Sequence, residues 1–127
     1  MKDSIFTKII NGDVPSYKIY EDERTIAILD INPIQYGHTL VIPKAQVDHL
    51  EDLEDEDYTA VMATVRRLCH HLKEELQTER ICIKVEGFDI PHAHVHLIPC
   101  NVSADLYARS EPADPADLAE LEARLVY

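Results

Sequence analysis

Pro91-His92-Ala93-His94-Val95-His96-Leu97-Ile98-Pro99 sets three histidines at alternate positions, with small or apolar residues between them. Successive side chains of an extended strand point to opposite faces, so the spacing predicts a strand with His92, His94 and His96 on one face and Ala93, Val95 and Leu97 on the other. The apolar row belongs in a core. The imidazole row then concentrates nucleophilic and proton-carrying nitrogen on one surface, each ring titrating near neutral pH when unperturbed. Pro99 is expected to close the strand, because it has no N–H to give to a ladder.

Working outward, Gly87 marks the turn into this strand from Ile81–Val85, where apolar residues alternate with Cys82 and Lys84. Tyr17–Tyr20 and Thr25–Ile31 are β-type runs joined by the polar Glu21-Asp22-Glu23-Arg24, which suggests an antiparallel hairpin broken at Asn32-Pro33. His38–Ile42 reads as a further strand between Gly37 and Pro43. Three helices complete the pattern. A short one spans Ser4–Ile10, with Ser4 as N-cap and Asn11-Gly12 as its stop. A long one begins in the acidic run Glu51–Asp57 and carries the stripe Tyr58, Val61, Met62, Val65, Leu68, Cys69, Leu72 and Leu76. A last one runs from Asp114-Pro115 to Arg124. Hairpin-linked strands with segregated helices predict an α+β domain, one unit over residues 1–127, on an antiparallel sheet of about five strands.

Composition narrows the partners. The 127 residues hold 24 acidic and 12 basic side chains, a formal net charge of -12, which repels a polynucleotide or an anionic membrane surface. Cys69, Cys82 and Cys100 have no metal or disulfide spacing, and they read as reduced thiols. The N-terminal residues lack a charged then apolar leader, and no apolar run is long enough to span a bilayer, so a cytoplasmic location is expected.

Two chemistries suit three imidazoles on a strand. One is metal binding, with Asp89 and His38 as possible extra ligands. Side chains at i and i+4 of a strand have Cα atoms about 13 Å apart, while zinc holds nitrogen at about 2 Å, so one ion takes two of the three and leaves one histidine unexplained. The other is nucleophilic attack on phosphorus, in which a neutral imidazole forms a phosphohistidine while its neighbours hold tautomers, bind phosphate oxygens or protonate a leaving group. His49, His70 and His71 are assigned to surface or helix positions with no functional role.

The run His92–Ile98 resembles the His-φ-His-φ-His-φ-φ signature, φ being hydrophobic, of the histidine triad (HIT) superfamily. Ser4–Ile10, Ile26–Pro33 and Gly37–Lys44 resemble its other blocks in the same order, so the likeness covers residues 4 to about 99 and leaves 100–127 as a tail. The resemblance implies a homodimer with joined sheets and a purine nucleotide site in each protomer, without a cofactor or an obligatory metal. It implies hydrolysis of nucleoside 5'-phosphoramidates or aminoacyl adenylates, the small branch resembling nucleoside phosphoramidases. It carries over His94 as nucleophile, His96 on the phosphate and leaving group, and His92 and His38 as orienting and proton-relaying groups. Asp30 takes the ribose hydroxyls, with Phe6, Ile9, Ile28 and Ile31 around base and sugar. These four apolar residues would also suit a plain core, and Asp30 would suit a turn cap. Alternatives on the same scaffold are a dinucleoside polyphosphate hydrolase or a catalytically weak nucleotide-binding protein.

The chain departs from that family in three places. A Gly-Gln-Ser-like segment that helps many members hold phosphate is replaced by Gly87-Phe88-Asp89-Ile90-Pro91; Phe88 has no donor, and ionised Asp89 repels phosphate. Facing the pocket, Asp89 would favour a cationic leaving group; facing away, it caps the turn at Gly87. Ser4 and Thr7 stand where some bacterial members carry a zinc-binding Cys pair, and Leu121–Tyr127 replaces a Trp-Pro-Pro-Gly ending.

Overall fold

The computed structural model describes residues 2–127. Its elements in chain order are α1 (Ile5–Ile10), β1 (Lys18–Glu21), β2 (Thr25–Leu29), β3 (Thr39–Pro43), α2 (Asp55–Leu76), β4 (Arg80–Lys84), β5 (Val95–Cys100) and α3 (Pro115–Leu125), with short 3-10 turns at Leu50–Asp52 and Ser103–Tyr107. The strands form one antiparallel sheet in the order β1-β2-β3-β5-β4, so the expected α+β class and five strands are observed.

Both faces of the sheet are covered, each by the helix whose apolar stripe matches it. On one side Val61, Val65, Leu68 and Leu72 of α2 pack on Ala27, Leu29, Val41, Val95 and Leu97, and Leu118, Leu121 and Leu125 of α3 extend the same core. On the other side Phe6 of α1 packs on Ile26, Ile28, Leu40 and Ile42. Every residue of β2 and β3 is therefore buried, which explains why these strands read as continuous apolar runs. Asp114 caps α3 by accepting from the Ala116 N–H, with Pro115 opening the helix.

The histidine segment differs from its sequence reading. Only Val95–Cys100 is strand, so His92 and His94 lie in the connection before it. Instead of entering the ladder, that connection is tied elsewhere: the Ala93 N–H donates to Val47 O at 2.7 Å and the His92 N–H to Ile90 O at 2.8 Å. Pro99 does not end the strand. It lies opposite Ile81 of β4, and β3 no longer runs beside β5 beyond Leu97, so the missing N–H is tolerated there. The acidic run is likewise split, Leu50–Asp52 forming a 3-10 turn before α2 begins at Asp55.

Gly37, at φ +90°, turns the chain into His38, and a Cβ there would collide with the Leu76 side chain. The loop that delivers His38 and Asp30 is therefore packed directly on the end of α2.

Candidate active site

His38 precedes β3, His96 lies on β5, and His94 just precedes β5, so β-sheet register brings the three rings together on the face that α1 partly covers. The ring centroids of His94 and His96 are 5.1 Å apart, and those of His38 and His96 are 5.2 Å apart. Phe6 meets the rings of His92 and His94 edge-on, at 5.7 and 4.9 Å.

Hydrogen-bond partners fix the tautomers. A backbone N–H can only donate, so the Ile34 N–H at 3.0 Å makes His38 Nδ1 an acceptor and leaves the ring proton on Nε2. That Nε2–H donates to His96 Nδ1 at 3.0 Å, which leaves the proton of His96 on its own Nε2. Among the described residues His96 Nε2 is buried without a hydrogen-bond partner, a donor open to a ligand. In the same way the His92 backbone carbonyl at 2.7 Å can only accept, so His94 carries its proton on Nδ1, and in the neutral ring the Nε2 lone pair is free. His92 donates from Nε2 to Pro43 O at 2.7 Å and accepts at Nδ1 from the Ser4 hydroxyl at 2.7 Å. Ser4 Oγ in turn accepts the Thr7 N–H at the start of α1, and Thr7 Oγ1 and the Ser4 N–H both donate to Gln46 Oε1.

Burial makes the rings of His38, His92 and His96 weaker bases than free imidazole. Desolvation, with lesser contributions from neighbouring cationic groups, lowers His38 and His96 to about 4, and desolvation also lowers His92. The expectation that all three triad rings titrate near neutrality is thereby corrected for His92 and His96. Desolvation raises the pKa of Asp30, against the Asn32 N–H that its Oδ1 accepts at 2.9 Å. Its other oxygen lies 3.6 Å from His38 Nε2. Asp30 is thus both a turn cap and a pocket group.

A cleft of about 630 Å³ opens over this cluster, a volume that suits a mononucleotide. Phe6, Ile9, Ile28, Asp30, Ile31, His38, Asp89, His94 and His96 all line it. Phe6 and Ile28 serve the core as well, whereas Ile31 is 57% exposed and presents its side chain to solvent at the cleft. His92 does not line the cleft; it is fully buried, with both ring nitrogens engaged. Lys84 and Ser110 are among the lining groups that escaped the sequence reading. Lys84 stands opposite His96 in the β4–β5 register. Ser110 is brought in by the tail, whose Glu111 and Ala113 N–H groups donate to Pro33 O and Ile31 O at 3.4 and 3.0 Å. An alternating Lys beside a histidine strand was a signal for the first; nothing local signalled the second.

Asp30, His38 and His96 place donor atoms within 4.8 Å of one another, a possible metal cluster. The Ile34 hydrogen bond argues against the fit, because it makes His38 present an N–H to the cluster and not a lone pair.

An α+β domain whose sheet presents buried, tautomer-fixed histidines to a nucleotide-sized cleft defines a class, and the comparisons give it a family. The HIT domain family model matches residues 11–102, and the chain belongs to that family. It is 39% identical to adenosine 5'-monophosphoramidase HNT1 of Saccharomyces cerevisiae over 98 residues, 75% of this chain and 61% of that protein. Among solved structures, a Hit-like protein involved in cell-cycle regulation from Bartonella henselae superposes with a TM-score of 0.87 at 29% identity, covering 97% of this chain and 93% of the other. A zinc-bound histidine triad family protein from Mycobacterium smegmatis superposes with a TM-score of 0.80 at 32% identity, covering 95% and 91%.

Proposed function

We propose that the chain is a hydrolase of purine nucleoside 5'-phosphoramidates or aminoacyl adenylates, releasing the nucleoside monophosphate through a covalent nucleotidyl-His94. The observation that carries this reading is the bond from His94 Nδ1–H to His92 O, which leaves the Nε2 lone pair available to phosphorus. The name of the yeast relative, a monophosphoramidase, supports the same reaction class.

In the first step Nε2 bonds to the α-phosphorus and the bond from phosphorus to the leaving amine or carboxylate breaks. The leaving group keeps that electron pair, and an amine takes up a proton from solvent. Water then attacks phosphorus and gives up a proton to solvent, the N–P bond breaks and His94 regains its lone pair. His96 Nε2–H donates to a non-bridging oxygen, and His38 holds His96 in that tautomer. Asp30 takes the ribose hydroxyls at the end of the cleft where Ile31 and Ser110 stand.

A homodimer through β4 fits this reading: β4 is an edge strand, and its Ile83 and the following Val85 are exposed apolar side chains. Light scattering at micromolar concentration tests it, a monomer being the contrary result. No described helix is long and apolar enough to cross a membrane, and three free cysteines support a reducing, cytoplasmic setting.

The decisive experiment is trapping. Incubation with an adenosine phosphoramidate, an acid-free quench and mass spectrometry should show a nucleotidyl adduct on His94 that vanishes in His94→Ala. Hydrolysis without any adduct would replace the covalent route with direct attack by water.

A further inference from the structure

We propose that Lys84 is a further catalytic residue, whose ammonium contacts the non-bridging oxygens of the α-phosphate beside His96. This rests on the nucleotide reading above and adds the charge that reading lacks.

Register and pleat give Lys84 its direction. It pairs with His96, and residues opposite each other in an antiparallel ladder share a face, so Lys84 rises from the face that carries the histidines. Ile81 on the same strand packs on the opposite side, into the core under α2. Among the described residues that line the cleft Lys84 is the one Lys or Arg, against the carboxylates of Asp30, Glu86 and Asp89. Among the described residues its ion-pair partner is Glu86 at 4.0 Å, the outer limit of such a contact, so the ammonium remains available.

The other groups at the phosphate end do not supply a fixed positive charge. His38 and His96 stay neutral at pH 7 and offer N–H dipoles. Phe88 is 92% exposed and has no polar atom in its side chain, and Asp89 carries the wrong sign. Charge on the non-bridging oxygens persists while the N–P bond forms and the bond to the leaving group breaks. A cation on the sheet floor stabilises it throughout, without giving up its proton.

The test uses the full chain and two ligands that differ only in the phosphate. AMP and adenosine are titrated calorimetrically into wild type, Lys84→Met and Lys84→Arg. Lys84→Met should weaken AMP about 10- to 100-fold and leave adenosine unchanged, and Lys84→Arg should recover most of the loss. For phosphoramidate hydrolysis, kcat/KM should fall in Lys84→Met by at least the same factor, with an unshifted unfolding midpoint. Unchanged AMP affinity, or an equal loss for AMP and adenosine, overturns the role of Lys84 and leaves the nucleotide reading standing. A wild type that binds neither ligand overturns both. Should Lys84→Met not fold, Lys84→Gln goes through the same titrations.

Discussion

His94 Nδ1–H donates to the backbone carbonyl of His92 at 2.7 Å, so the ring proposed as nucleophile is oriented by the chain two residues before it and not by an acidic side chain. The carbonyl dipole remains in place when Nε2 gains a bond to phosphorus and the ring turns cationic. Long-range nitrogen–proton NMR at pH 7 should find His94 protonated at Nδ1 and His38, His92 and His96 protonated at Nε2. A proton on His94 Nε2 would remove the lone pair on which the covalent route depends.

Stability should fall on acidification below about pH 6.5. His38 and His96 titrate near 4 when folded and near 6.5 when unfolded, so between those values the unfolded chain binds more protons and stability rises with pH. The stabilisation is complete above the unfolded value and is lost as pH falls toward 4, at most about 3 kcal/mol per ring. Asp30, raised by burial, opposes this as pH rises above the ordinary carboxylate pKa. Denaturant melts at pH 7, 5.5 and 4.5 check the slope; a midpoint independent of pH would mean that the rings are hydrated.

Ser4→Ala removes two interactions at once. The cap on Thr7 is worth about 1 kcal/mol, and a buried His92 Nδ1 left without its donor costs about 1–3 kcal/mol more. Ser4→Thr keeps the hydroxyl and should recover most of the stability. Equal melts for wild type and Ser4→Ala would show that water replaces the serine.

Asp89 lines the cleft, so its charge bears on the leaving group. Asp89→Asn should lower kcat/KM for a lysyl phosphoramidate relative to a neutral alkyl one, by about 3- to 10-fold for a solvent-screened pair. An unchanged ratio would leave Asp89 as a turn residue only.

The layout of the fold was legible because it rests on periodicity. The stripe Val61, Val65, Leu68 and Leu72, the apolar runs of β2 and β3, and the Asp114-Pro115 start each stated its own element locally. The strand ends were not legible, since Val95 starts β5 only because Ala93 is tied to Val47. The triad and its grouping with His38 and Asp30 could be read through family likeness. The partnership of Ser4 with His92, 88 residues away, and the approach of Ser110 could not, because no local pattern encodes a contact between distant segments. The lowered pKa of His96 was equally hidden, for burial belongs to the packed sheet and not to the motif.

Ala113 and Glu111 are bonded to the backbone of Ile31 and Pro33, while Leu118, Leu121 and Leu125 a few residues later fill the core beneath α2. One segment thus anchors the domain and walls one side of the cleft. Drift in ligand preference through this segment is therefore confined to outward side chains such as Ser110, and remodelling its course would loosen the whole molecule.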